Sequence, residues 1–370
     1  MSLPVNILLF ILGLVLLILG GDWFVDGASG LAKRFHIPEL LIGATVVSIG
    51  TTLPEVMVSA QAAAEAARGG GGAATAYGNA IGSVICNTAL ISALTIAIRP
   101  TKVERKTFIK PVIFFFAAAA FYAVISYTAG RFARWAGLVL LAGFVAYMIV
   151  LVMPAKKDMA AGKTAAEAEG ISEEAQEGAS EALEAKAEEE AEEKKGGLLR
   201  HLVKLVLPGE EETRNVWEEI LLLVLGAAAI AVGARLLVDN GIAISQALGV
   251  PESVIALVFV ALGTSLPELV TAVTSLAKGH SSLSLGNIVG ANLFNLVLVS
   301  GLAITIAPFA IPVEKTIGGM NAALIVDVPV MLFVMIVMTV PTLIRGKLSR
   351  WQGILLLVTY VSYIVFQLFL

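Results

Sequence analysis

Cysteine is nearly absent. The 370-residue sequence contains one, Cys86, so no internal disulfide can form. Histidine is also scarce: His36, His201 and His280 all fall in expected loops, and none stands beside a serine or cysteine in a hydrolytic arrangement. A chain without a nucleophile–base pair, and without histidine ligands in its apolar runs, is not read as an enzyme, and no cofactor is expected. Charge is the third shortage. Asp, Glu, Lys and Arg make up 15% of the chain against 58% hydrophobic residues, which excludes an ordinary soluble domain.

Long apolar runs fill the space that charge leaves. Residues 5–19, 112–127, 135–153 and 353–370 are near or at the roughly 20 residues needed to cross a hydrocarbon core. Unbroken runs of this kind favour helices over the alternation of a barrel strand. The first run lacks a positively charged start and a small-residue cleavage site, so it is expected to stay as a helix in the lipid bilayer. No nucleic-acid partner is expected; the net charge of -4 is itself uninformative, because it comes mainly from one segment.

Hydropathy and helix breakers divide the chain into ten spans, at about residues 5–30, 38–67, 73–98, 111–129, 135–153, 216–248, 251–277, 281–307, 322–344 and 351–370. Between the fifth and sixth lies the charged, Ala/Glu-rich stretch 154–215, which has no EF-hand pattern and reads as a solvated spacer, with 200–207 as a short amphipathic segment at the membrane surface. Lys and Arg concentrate in the connections after spans 1, 3, 7 and 9, as Lys33, Arg34, Arg99, Lys102, Arg105, Lys106, Lys110, Lys278, Arg345, Lys347 and Arg350. The positive-inside rule then places that side in the cytoplasm, both termini outside and the acidic linker in the cytosol of a multi-pass cell-membrane protein.

An internal repeat organises the spans. "HIPELLIGATVVSIGTTLPE" (36–55) aligns without gaps with "GVPESVIALVFVALGTSLPE" (249–268), at an offset of 213. "GNAIGSVICNTALISAL" (78–94) aligns with "GNIVGANLFNLVLVSGL" (286–302), at an offset of 208. Five spans per repeat is an odd number, so the second copy must lie upside down. The expected fold is therefore an all-α membrane protein of ten transmembrane helices, arranged as two inverted five-helix repeats (1–153 and 216–370) with helices 2 and 7 broken at proline. This is the architecture of secondary transporters, whose substrate site lies where the repeats meet.

The repeated motifs carry chemistry suited to cations. Pro54 and Pro267 have no N–H, which frees the carbonyls of Gly50 and Gly263. Each proline is followed by a carboxylate, Glu55 or Glu268, and preceded by two hydroxyls, Thr51 and Thr52 or Thr264 and Ser265. Carboxylate, hydroxyl and carbonyl oxygens are what hard cations bind, and the two glutamates balance one divalent charge. They could equally hold protons. In the second motif pair, Asn79, Ser83 and Asn87 share one helical face, as do Asn287, Ala291 and Asn295 in the other copy.

These residues resemble the calcium/cation antiporter superfamily, which contains the sodium/calcium exchangers. The resemblance rests on the paired G-T-[ST]-L-P-E and G-N-x-x-G-[SA] motifs and covers both halves of the membrane region. It implies an alternating-access antiporter exchanging calcium for sodium, with helices 1 and 6 sliding over a rigid core. The ligands it implies are Glu55, Glu268, the hydroxyls of Thr51, Thr52, Thr264, Ser265 and Ser83, the amides of Asn87 and Asn295, and the carbonyls of Ser48 and Ala261. Typical sodium/calcium exchangers carry Asp where this chain has Asn295, and often Ser where it has Ala291. Losing that third acid keeps a calcium/proton antiporter in view as the alternative; a cation channel is a more distant one. The residues leave the oligomeric state open.

Six further polar positions receive structural readings. Asn79 and Asn287 are expected to be interhelical supports. Asp26, Asp239 and Arg235 are expected to anchor span ends, with Arg235 and Asp239 at ion-pair spacing. Asp327, ahead of Pro329, is expected to cap span 9.

Overall fold

The computed structural model describes residues 2–35, 37–69, 72–168, 214–248, 263–313 and 316–369. Most of the linker, including 200–207, and the stretch 249–262 with Ala261 lie outside the described residues. Among the described residues the main helices are ten: α1 (Leu3–Arg34), α2 (Glu39–Ala67), α3 (Thr75–Ile98), α4 (Arg105–Ala129), α5 (Arg134–Leu151), α6 (Val216–Ala247), α7 (Leu266–Ala277), α8 (Ser281–Ile306), α9 (Ala323–Arg345) and α10 (Arg350–Phe369). All but α7 and α10 are long and apolar enough by length and composition to cross a membrane, and α10 adds 20 residues. In hydrocarbon each backbone N–H must be satisfied within its own segment, so apolar runs of this length become helices.

α1 and α6 lie antiparallel on the outside of the molecule. Glycines at 13, 20 and 27 on α1, and at 226 and 233 on α6, form the seam. A Cβ on Gly13 would sit 2.8 Å from the Gly233 carbonyl oxygen, and one on Gly20 3.0 Å from that of Gly226. Without glycine the two backbones could not approach so closely. Under the 213-residue offset Gly13 corresponds to Gly226 and Gly20 to Gly233, so each of these contacts turns into the other when the repeats are exchanged. The loops behave alike. β1 (Arg131–Phe132) pairs antiparallel with β2 (Phe309–Ala310), while Lys102 bridges Lys347. The first joins the α4–α5 connection to the α8–α9 connection; the second joins the α3–α4 connection to the α9–α10 connection. These are the pairs that a two-fold axis between the halves produces.

The core is built around α2, α3, α7 and α8. In α8, 83% of the most apolar stretch is buried, against 22% in α1, so α8 is central and α1 peripheral. Three core helices contain a widened π turn, at Gly43–Val47 in α2, Asn87–Ile91 in α3 and Asn295–Val299 in α8. Each is followed by a serine whose hydroxyl returns to a carbonyl of that turn: Ser48 to Gly43 (2.7 Å), Ser300 to Asn295 (3.1 Å) and Ser92 to Thr88. A π turn interrupts the i→i−4 ladder, and the serine supplies a bond in its place.

Three details of the helices differ from the sequence reading. The helix runs through Pro54 instead of breaking there, because a proline with helical φ costs a local hydrogen bond without requiring the chain to turn. At Pro267 the chain does turn at Thr264 and Ser265, and α7 starts afresh with the proline in its first turn. Arg105, Lys106 and Lys110 belong to the opening turns of α4, not to a loop; long basic side chains can reach the interface from a helix end. The helix of α5 continues to Ala168, into the charged stretch.

Candidate functional site

The two Pro-Glu motifs meet in the centre of the core. Thr51, Thr52, Glu55, Ser265 and Glu268 are all buried, Glu55 and Glu268 completely. The hydroxyl of Thr52, in the first repeat, donates to Oε1 of Glu268, in the second, at 3.4 Å. Glu55 and Glu268 lie within Coulombic reach of each other. Neither forms an ion pair with a basic side chain among the described residues. Buried charges left unpaired cost several kcal/mol each, so two such carboxylates demand a cation or protons.

The asparagines close the site from the other side. Asn87 opens the π turn of α3, which packs on α7, the helix carrying Glu268. Asn295 opens the π turn of α8, which packs on α2, the helix carrying Glu55. The turn that opens with each expected amide ligand therefore packs on the opposite repeat's glutamate helix. Both side chains are fully buried, and neither their Nδ2 nor their Oδ1 atoms find a hydrogen-bond partner among the described residues. The same holds for both carboxylate oxygens of Glu55, Oε2 of Glu268 and Oγ of Ser265. Buried polar atoms are ordinarily bonded. Unsatisfied carboxylate, hydroxyl and amide oxygens concentrated here fit a bound cation as the missing partner.

Ser48 and Ser83 are buried nearby, while Thr264 is half-buried in the turn ahead of α7. Asn79 and Asn287 have cross-repeat partners. Thr51 Oγ1 donates to Asn287 Oδ1 at 3.1 Å, and Thr264 Oγ1 donates to Asn79 Oδ1 at 3.4 Å. α1 and α6 cover this arrangement. A small cavity beside Thr51, Pro54 and Pro267 is closed by Phe24 of α1 and Ile230 of α6, and a Cβ on Gly50 would approach the Phe24 ring to 3.0 Å.

Several polar groups were missed by sequence reasoning. Thr271 and Ser275 continue from Glu268 along one face of α7, fully buried and without hydroxyl partners among the described residues. Asn292 donates to Thr88 at 2.8 Å between α8 and α3. Their spacing to the carboxylate or to the motif asparagines was the available signal. Asp327 is a correction: its side chain makes no capping bond and instead accepts from Tyr363 (3.0 Å) and Gln367 (2.7 Å) of α10. Arg235 and Asp239 do pair, at 3.5 Å.

Comparison with known proteins adds an independent line. The model of the sodium/calcium exchanger protein family matches residues 5–153 and 218–369, both membrane halves. The chain belongs to this family. Among its relatives, the sodium/calcium exchanger MaX1 of Methanosarcina acetivorans is 30% identical, the alignment covering 98% of each chain. The inner membrane protein YrbG of Escherichia coli is 32% identical, over 81% of this chain and 79% of its own. Solved structures of the sodium-calcium exchanger NCX_Mj superpose with a TM-score of 0.71 at 28% identity, covering 98% of this chain and 99% of that one. As a member of this family the chain is a multi-pass membrane protein of the antiporter class.

Proposed function

We propose that the protein is a secondary antiporter that exchanges calcium for sodium across the membrane by alternating access. The observation that carries this reading is the pair of buried carboxylates, Glu55 and Glu268, with oxygens left unsatisfied among hydroxyls and amides from both repeats. Calcium takes six to eight oxygens in flexible geometry, and two carboxylates match its charge. Sodium binds the same hard oxygens with half the charge, so either ion can displace the other. The ligand set is Glu55, Glu268, Thr51, Thr52, Thr264, Ser265, Ser83, Asn87 and Asn295, with the carbonyls of Ser48 and Ala261; Ala261 lies outside the described residues.

α1 and α6 are the moving part in this reading. They touch the core over the Pro-Glu motifs and each other along glycine, a seam with few side chains to interlock. The protein sits in the cell membrane with both termini outside and the acidic linker in the cytoplasm. An inward sodium gradient and a negative interior then favour calcium export.

A second reading is calcium/proton exchange, favoured by one observation: Asn295 supplies no third carboxylate. Calcium uptake into sodium-loaded proteoliposomes, repeated at fixed sodium with an imposed pH gradient, separates the two. Sodium-driven uptake supports the first reading. Uptake driven only by the pH gradient moves the protein to the second, and uptake with neither gradient points to a channel.

A further inference from the structure

We infer that Asn79 and Asn287 are positioning residues that aim the hydroxyls of Thr51 and Thr264 at the cation; this rests on the cation-site reading above. A hydroxyl carries one hydrogen and two lone pairs, and only the lone pairs bind a cation. Where the hydrogen goes therefore decides whether the oxygen is a ligand. Thr51 gives its hydrogen to Asn287 Oδ1 at 3.1 Å, leaving its lone pairs free. The competing acceptor is the Ser48 carbonyl at 3.5 Å, which is itself in the proposed ligand set. By taking the hydrogen, Asn287 keeps the Ser48 carbonyl available beside the Thr51 oxygen, two ligands instead of one.

The other repeat uses the same device. Thr264 donates to Asn79 Oδ1 at 3.4 Å, and the orientation of that amide is settled by its nitrogen, which donates to the Glu55 carbonyl at 3.1 Å and to Ser59 Oγ at 2.8 Å. Asn79 thereby ties the backbone at one carboxylate to the hydroxyl of the opposite motif. The two Thr–Asn pairs are exchanged by the repeat offsets, and both cross between the repeats. An amide serving only as interhelical glue has no reason to choose a ligand hydroxyl of the other repeat in both copies.

The test is a pair of double-mutant cycles on the full chain, Asn287→Leu with Thr51→Val and Asn79→Leu with Thr264→Val. Calcium half-saturation is read from calcium-dependent thermal stabilisation in sodium-free detergent and from the half-saturating calcium and maximal rate of transport. Each Asn→Leu variant is expected to raise half-saturating calcium about fivefold to tenfold, as for loss of one hydrogen bond, with the maximal rate little changed. Each double variant is expected to match its Thr→Val parent within about twofold, because the asparagine acts through that hydroxyl. Effects that multiply in the doubles would overturn the inference. If Asn287→Leu does not fold, the cycle at half-buried Asn79 decides alone. A wild-type protein that calcium does not stabilise, and that neither gradient drives, sinks the cation-site reading itself, a result distinct from multiplying effects in a protein that binds calcium.

Discussion

Residues 22 and 26 of α1 correspond, by the repeat, to 235 and 239 of α6, yet the two ends of the pair are held very differently. At the first end Lys278 contacts Asp22 (3.4 Å) and Asp26 (2.6 Å), Arg214 reaches Asp26 at 3.7 Å, and Arg34 pairs with Glu219 at 3.0 Å. At the second, Arg235 pairs among the described residues with its neighbour Asp239, and their side chains are 85% and 64% exposed. Lys278 sits at the C-terminal cap of α7, the helix that begins beside Glu268. The charged cluster therefore fastens the outer helices to the element that carries the site, on one side of the molecule. A sequence repeat sets up two equivalent ends, and the described residues occupy them unequally.

The largest test asks whether the halves are equal at the site even though they are unequal at the ends. Glu55→Gln and Glu268→Gln should each reduce gradient-driven calcium uptake in proteoliposomes to background, since each removes one of two buried charges. Full activity in either variant would mean that one repeat alone holds the ion. Next in size is the seam between α1 and α6. Gly20→Leu would press side-chain atoms against the Ile230 N–H and the Gly226 carbonyl, 2.8 and 3.0 Å from the ideal Cβ, and should lower stability by more than about 3 kcal/mol in detergent unfolding. Gly143→Ala, whose Cβ would meet only Val297 at 3.9 Å, should fall within about 0.5 kcal/mol of wild type.

How much of this was readable in advance depends on the physics behind each feature. A carboxylate after a proline in an apolar run stands out because both are costly in lipid, and finding it twice located Glu55 and Glu268 in the sequence. Ten spans followed from hydropathy. The course of the chain at Pro54 and Pro267 did not, because a proline permits either a helix with a missing bond or a new start, and tertiary packing chooses between them. The π turns of α2, α3 and α8 were invisible for a similar reason: their wide register depends on neighbouring helices, and only the serine that follows each of these three hints at it. Asp327 was assigned to a local cap because its partners, Tyr363 and Gln367, lie 36 and 40 residues away. The cross-repeat Thr–Asn bonds join residues more than 180 positions apart, beyond any local pattern.

The unequal ends yield the finest test. Cys86 is the protein's only cysteine and is buried, so an introduced thiol reports its own surroundings. Ser275 is fully buried on α7, between Glu268 and Lys278, which makes Ser275→Cys a near-isosteric probe of the fastened side. If Lys278 holds α1 against the core, Lys278→Ala should raise labelling of that cysteine by a membrane-impermeant maleimide about tenfold, applied from the side on which Lys278 lies. Arg235→Ala should leave the rate unchanged and shift stability by less than about 0.5 kcal/mol, because its pair with Asp239 is exposed and lies within one helix. Equal labelling in both variants would mean that the cluster around Lys278 is a surface ornament and that packing alone makes the ends differ. Faster labelling in the Arg235 variant instead would reverse the assignment of which end is held.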